Sequence, residues 1–139
     1  VTACIALTAA PMTAQPSPKG SRILVHVATG PENATRAALA FLVARTAIEE
    51  GHSVTLFLAG DAVQLLRDAM LDSINGAGTG SLRDHYTVIV KAGTKIYLSG
   101  MSSKARGVLD ADLKGKPAEF APPSVLVKLA TEHDRVFTY

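Results

Sequence analysis

The sequence has 139 residues, 47% of them hydrophobic and 19% charged, with a formal net charge of +2. That length predicts one domain, able to bury roughly two-thirds of its unfolded surface. So small a charge, with 5% aromatics and no tryptophan, excludes a nucleic-acid binder that tracks phosphates or stacks bases, and no uncharged run reaches the ~20 apolar residues of a membrane helix.

Residues 1–20 read as a flexible leader. Ala3 to Ala10 would pass for the apolar core of a signal peptide, but the basic residues that should precede such a core are missing. Pro11, Pro16 and Pro18 then block a helix, and either Val1 or Met12 could be the natural start. Cys4 is the only cysteine, so an intramolecular disulfide is impossible and a cytoplasmic location is expected.

The domain is expected over residues 21–139. Ile23 to Ala28 is a β-branched apolar run of strand length, stopped by Thr29-Gly30-Pro31. Asn33 is placed to cap a helix from Ala34 to Glu50, which Gly51 closes. Val54 to Leu58 reads as a second strand, and Gly60-Asp61 turns it into a helix from Ala62 to about Ser73. Two strands joined through a helix are expected to run parallel. Asn75 to Gly80 is glycine-rich but follows a helix, so it predicts a flexible connector and not a dinucleotide fingerprint.

Ser81 to Ala92 carries two signals. Thr87-Val88-Ile89-Val90 favours a strand by propensity, whereas Leu82, His85, Tyr86, Ile89 and Val90 have helical spacing and Gly93 follows as a stop. Helix is the better reading, because it continues the α/β alternation and packing overrides β propensity. Thr94 to Leu98 is the third strand, Ser99-Gly100 a tight turn, and a short helix follows to about Ala111. Ala118 to Ala121 predicts a short strand, Pro122-Pro123 opens a helix from Ser124 to about His133, and Arg135 to Tyr139 forms the last strand. The pattern predicts a three-layer α/β/α sandwich around a mostly parallel sheet of about five strands.

In such sheets ligands bind where loops leave the carboxyl ends of the strands. The candidate ligand-binding residues there are His26, Thr29, Gly30, Asn33, Asp61, Ser99, Gly100, Met101, Ser102, Ser103 and Arg106. The serines offer hydroxyls, Gly100 allows close backbone approach and Arg106 brings a fixed positive charge, which suits a small anion or metabolite. The blander reading is that the serines and Asp61 cap helices and Arg106 pairs with a carboxylate. No catalytic residue is assigned. Gly100-Met101-Ser102-Ser103-Lys104 lacks the second glycine of a nucleophile elbow, and His26 is the only histidine placed near enough to act as a base. His26, His52, His85 and His133 lie on separate elements without ligand spacing, so neither a metal nor another cofactor is expected.

Ile96-Tyr97-Leu98-Ser99-Gly100-Met101-Ser102-Ser103-Lys104-Ala105-Arg106-Gly107 resembles the signature of the DsrE/DsrF-like (YchN-like) sulfur-relay family, in which a strand ends in a cysteine followed by small residues and an Arg-Gly pair. Thr29-Gly30-Pro31-Glu32, Glu50-Gly51-His52-Ser53-Val54-Thr55-Leu56-Phe57, Gly60-Asp61 and the closing Asp134 to Tyr139 extend the likeness over most of the domain. The resemblance implies a three-layer sandwich, assembly into trimers or hexamers, and a sulfur-relay protein as partner. This chain departs from the family at Ser99, where the sulfur-carrying cysteine should stand. A thiol with a pKa of about 8.5 becomes a thiolate and then a persulfide, and an alcohol does not. The expectation is a non-catalytic binding or partner subunit. The alternatives are a sulfurtransferase component using a partner's cysteine, or a weak serine-based transferase.

Overall fold

The computed structural model describes residues 20–139; Cys4 and, apart from Gly20, the proposed leader lie outside that range. Its main sheet contains β1 (Arg22–Val27), β2 (Ser53–Leu58), β5 (Lys95–Ser99), β6 (Ala118–Ala121) and β7 (Arg135–Thr138). All four pairings are parallel and the order is β6-β5-β2-β1-β7. A separate two-stranded hairpin joins β3 (Asn75–Gly76) to β4 (Gly80–Ser81).

From β1 through β2 and β5 to β6 the chain steps in one direction, and then it jumps back across the sheet to β7. With right-handed crossovers, the three forward steps put their helices on one face and the return puts its helix on the other. The burial pattern agrees. Ile23, Val25, Val27, Leu56, Leu58, Ile96 and Leu98 point into a large core with α1 (Ala34–Glu49), α2 (Asp68–Ser73) and α3 (Leu82–Lys91). The alternate residues Leu24, Phe57, Tyr97 and Ala121 face α5 (Pro123–Glu132) through Val125, Leu126 and Leu129. One face is therefore thickly covered and the other thinly.

Helix α1 lies against the sheet because its contact residues are small. Ala37, Ala38, Ala40, Ala44 and Ala47 are buried around the single large side chain Phe41. Asn33 Oδ1 accepts the Arg36 N–H at 3.0 Å, which caps the helix, and Gly51 ends it at φ +88°. Leu39, Leu42 and Val43 are only half-buried, so the apolar stripe is wider than the face the sheet covers.

Three local expectations are corrected. The predicted helix from Ala62 to Ser73 is a 3-10 turn over Gly60–Leu66 followed by α2, because Arg67 adopts an extended conformation between them. The glycine-rich connector is an ordered hairpin: the Ala77 N–H donates to Thr35 Oγ1 and the Thr79 hydroxyl to the Thr35 carbonyl, both at 3.1 Å. The helix after the Ser99 turn, α4 (Gly100–Ala105), ends before Arg106, and Asp110–Leu113 forms a separate 3-10 turn. Ser81 to Ala92 is helical as the spacing required, with Ser81 Oγ accepting the Asp84 N–H.

Candidate functional site

The carboxyl ends of β1, β2 and β5 bring three loops together. Gly30 is pressed against the Asp61 main chain: a Cβ there would sit 2.4 Å from the Asp61 carbonyl oxygen. Ser102 Oγ accepts the Gly60 N–H at 2.9 Å and so joins α4 to the loop after β2. Arg106 Nε donates to Asp61 Oδ1 at 2.7 Å across 45 positions of sequence. The Glu32 carboxylate accepts the Gly30 N–H, and the Tyr139 carbonyl accepts the N–H groups of Ala28 and Thr29.

These bonds assign most of the candidate residues. Ser99 Oγ accepts the Ser102 N–H at 3.3 Å and is the N-cap of α4. Asn33 caps α1, as the cap pattern implied. Arg106 is not a free charge, because Asp61 neutralises it; the small-anion reading loses its principal attractor. Ser103 is buried and its hydroxyl has no hydrogen-bond partner among the described residues, so it does not line the opening. Met101, by contrast, is 71% exposed. With Gly100, Phe120, Ala121, Pro122 and Pro123 it lines a mostly apolar groove of about 460 Å³ beside Ser99.

Phe120, Pro122 and Pro123 were missed from sequence. The signal lay in topology: β6 pairs with β5 in the register Ser99↔Ala121, which sets the Pro-Pro step beside the Ser99 turn. Without the strand order, residues about 20 positions downstream had no reason to be grouped with it.

His26 belongs to the thinly covered face. It shares a cross-strand row with Phe57 and Tyr97, and its ring centroid is 6.3 Å from that of Phe57. Ser99 lies two strands away and two residues further along β5, and no histidine hydrogen-bonds to it. Among the described residues, then, His26 is not placed to act as a base on Ser99. His26 Nε2 is buried without a hydrogen-bond partner among the described residues, and burial lowers the His26 pKa from its ordinary 6.5. A depressed imidazole pKa means that the unfolded chain binds the proton more readily. Stability should thus be level above about pH 6.5 and fall as pH drops below it. Urea midpoints measured between pH 7.5 and 5 should show that fall in the parent, and a smaller one in His26→Phe. An equal slope in both would place the acid sensitivity elsewhere.

Comparison with solved structures returns nine matching chains. The ychN protein from E. coli superposes with a TM-score of 0.66 at 16% identity, over 86% of this chain and 99% of that one. A conserved protein of unknown function, BT1422 from Bacteroides thetaiotaomicron, gives 0.56 at 10% identity, over 86% and 95%. At these identities the likeness shows the fold alone. Among curated proteins none matches. The model of the DsrE/DsrF-like family matches residues 21–139, from the start of β1 to the end of β7. The strand-turn-helix edge built around Ser99 thus stands within a chain that belongs to the DsrE/DsrF-like family.

Proposed function

We propose that this chain is a non-catalytic partner subunit of the sulfur-relay type, with the Ser99 turn as its binding edge. The observation that carries the reading is the state of Ser99 itself. The resemblance puts the family's cysteine at this strand end, and here the residue is a serine whose hydroxyl is engaged in capping α4. The only cysteine of the sequence is Cys4, more than 90 positions away. The neighbouring groove is apolar and Arg106 is already paired, so the edge favours an apolar segment of a protein partner, or the apolar part of a small metabolite, over a free anion.

Assembly into a trimer or hexamer is part of the same proposal. Val127, Val136 and Phe137 are exposed on α5 and on the edge strand β7, where a second copy would cover them. Light scattering at micromolar concentration should give a mass several times the 14.5 kDa of the chain. A monomer at every concentration would remove that part. A cytoplasmic location is part of the same proposal and rests on the single cysteine of the sequence; separately, no helix among the described residues is long and apolar enough to cross a membrane.

Sulfur uptake tests the central claim. The Cys4→Ser variant, incubated with a low-molecular-weight persulfide, should keep its parent intact mass. Stable addition of one sulfur atom to that thiol-free chain would show that the domain carries sulfur by another route, and the partner-subunit reading would fall.

A further inference from the structure

A second cavity lies away from the Ser99 edge, between the outer side of α3 and the loop that leads into β6. It measures about 550 Å³, and its lining includes Asp68, Arg83, Tyr86, Lys91, Lys114 and Lys116. Cations dominate it. Arg83 donates from Nε to Asp72 at 2.7 Å and from an Nη to Asp68 at 3.1 Å. The Lys116 ammonium lies 3.3 Å from the same Asp68 carboxylate. Asp68 thus serves two cations at once, which hold its carboxyl below the ordinary range and keep it ionised.

Lys91 and Lys114 have no carboxylate partner among the described residues. Setting Asp68 and Asp72 against the four cations leaves an excess of two positive charges around one concave surface. The negative end of the α3 dipole, about half a charge, lies near Lys91 and does not offset it.

Lys116 separates this cavity from an ordinary solvated patch. Its side chain is only 8% exposed, so the ammonium is held in place instead of moving freely in water. It has three donor hydrogens. One reaches the Asp112 carbonyl at 2.7 Å and the Asp68 carboxylate lies 3.3 Å from the nitrogen, so at least one hydrogen has no acceptor among the described residues. Tyr86 is buried, and that burial raises its pKa, so the phenol stays neutral and available as a donor. Arg83 sits over its ring, 5.9 Å from the centroid.

We propose that this cavity binds a small, multiply charged anion of the phosphate-ester or polyphosphate class, with Lys91 and Lys114 closing on it and Lys116 supplying a fixed donor at the base. The volume suits a small metabolite and falls within the ordinary range of ligand pockets, roughly 300–1,000 Å³. The site is independent of the Ser99 edge and of any role in sulfur relay.

Pyrophosphate is the probe, titrated into the full-length protein and followed by amide chemical shifts and calorimetry. Saturable binding is expected, with the largest shifts along α3 and residues 113–117. Each lysine supplies a charge-assisted contact, so Lys91→Gln and Lys114→Gln should weaken binding about tenfold each. Lys128→Gln, on the exposed side of α5, should leave it unchanged. Inorganic phosphate should bind more weakly, and sodium chloride at matched ionic strength should produce no saturable shift. The proposal is overturned if pyrophosphate fails to saturate, if the double lysine variant binds like the parent while remaining folded, or if the shifts gather elsewhere.

Discussion

Ser99→Cys, introduced into a Cys4→Ser background, is expected to take up one sulfur atom at residue 99 from a persulfide donor, whereas Cys4→Ser alone takes up none. The expectation follows from the local geometry. The Ser102 N–H reaches the residue-99 side chain at 3.3 Å, a separation that leaves room for the larger sulfur. A thiolate there would gain that N–H and the positive end of α4, both of which depress a thiol pKa from about 8.5. The nearby Asp61 carboxylate is already balanced by Arg106 and would oppose the charge little. The thiolate attacks the outer sulfur of the donor persulfide, a new S–S bond forms at residue 99, and the donor leaves as its own thiolate. Exchanging a serine cap for cysteine should cost about 1 kcal/mol of stability. Intact mass reports the modification, and circular dichroism reports whether the variant is folded. A folded variant that acquires nothing would show that this edge is not equivalent to the sulfur-carrying edge of its family.

A larger loss of stability is expected from Gly30→Ala, although the substitution adds only one methyl group. The backbone of Gly30 has φ −104°, which any residue adopts, so conformational freedom is not the issue. Space is: the added Cβ would lie 2.4 Å from the Asp61 carbonyl oxygen and 2.5 Å from its carbon. Those are main-chain atoms at the start of a 3-10 turn and do not rotate aside. The loops after β1 and β2 must separate, at a cost of about 1–3 kcal/mol, typical of overpacking. Gly51→Ala is the control. Its φ is +88° with nothing within 4 Å, so it should lose only the ~1 kcal/mol of a left-handed alanine. Urea unfolding of both variants tests the contrast. If Gly30→Ala is no worse than Gly51→Ala, the two loops are not packed as described.

The architecture was largely legible in the sequence because its signals are local. The β-branched runs at residues 23–27 and 54–58, the Asn33 and Ser81 caps and the Gly51 and Gly93 stops each act within a few positions. Helix α3 was recoverable despite Thr87-Val88-Ile89-Val90, because spacing records which side is buried and propensity does not. Where the reading failed, the cause was nonlocal. Arg67 breaks the second helix, and its guanidinium donates to the carbonyls of Arg106 and Gly107, about 40 positions away. The hairpin at Asn75 to Ser81 has strands of two residues, too short for any period. The candidate edge was half legible: its three loops do converge, but the pairing of Arg106 with Asp61 and the groove at Phe120 and Pro122 required the strand order.

That strand order also shapes how the chain must fold as it is made. Of the five strands of the main sheet β1 is made first, yet one of its two neighbours is β7, about 112 positions later. Until residues 135–138 appear, β1 is an open edge of the apolar run Ile23, Leu24 and Val25, ready to pair with another nascent chain. Closing so long a loop is slow relative to the local β1–β2 pairing. Four residues, all exposed in the final structure, therefore decide when the β1 edge is closed, and they are among the last of the domain to be made.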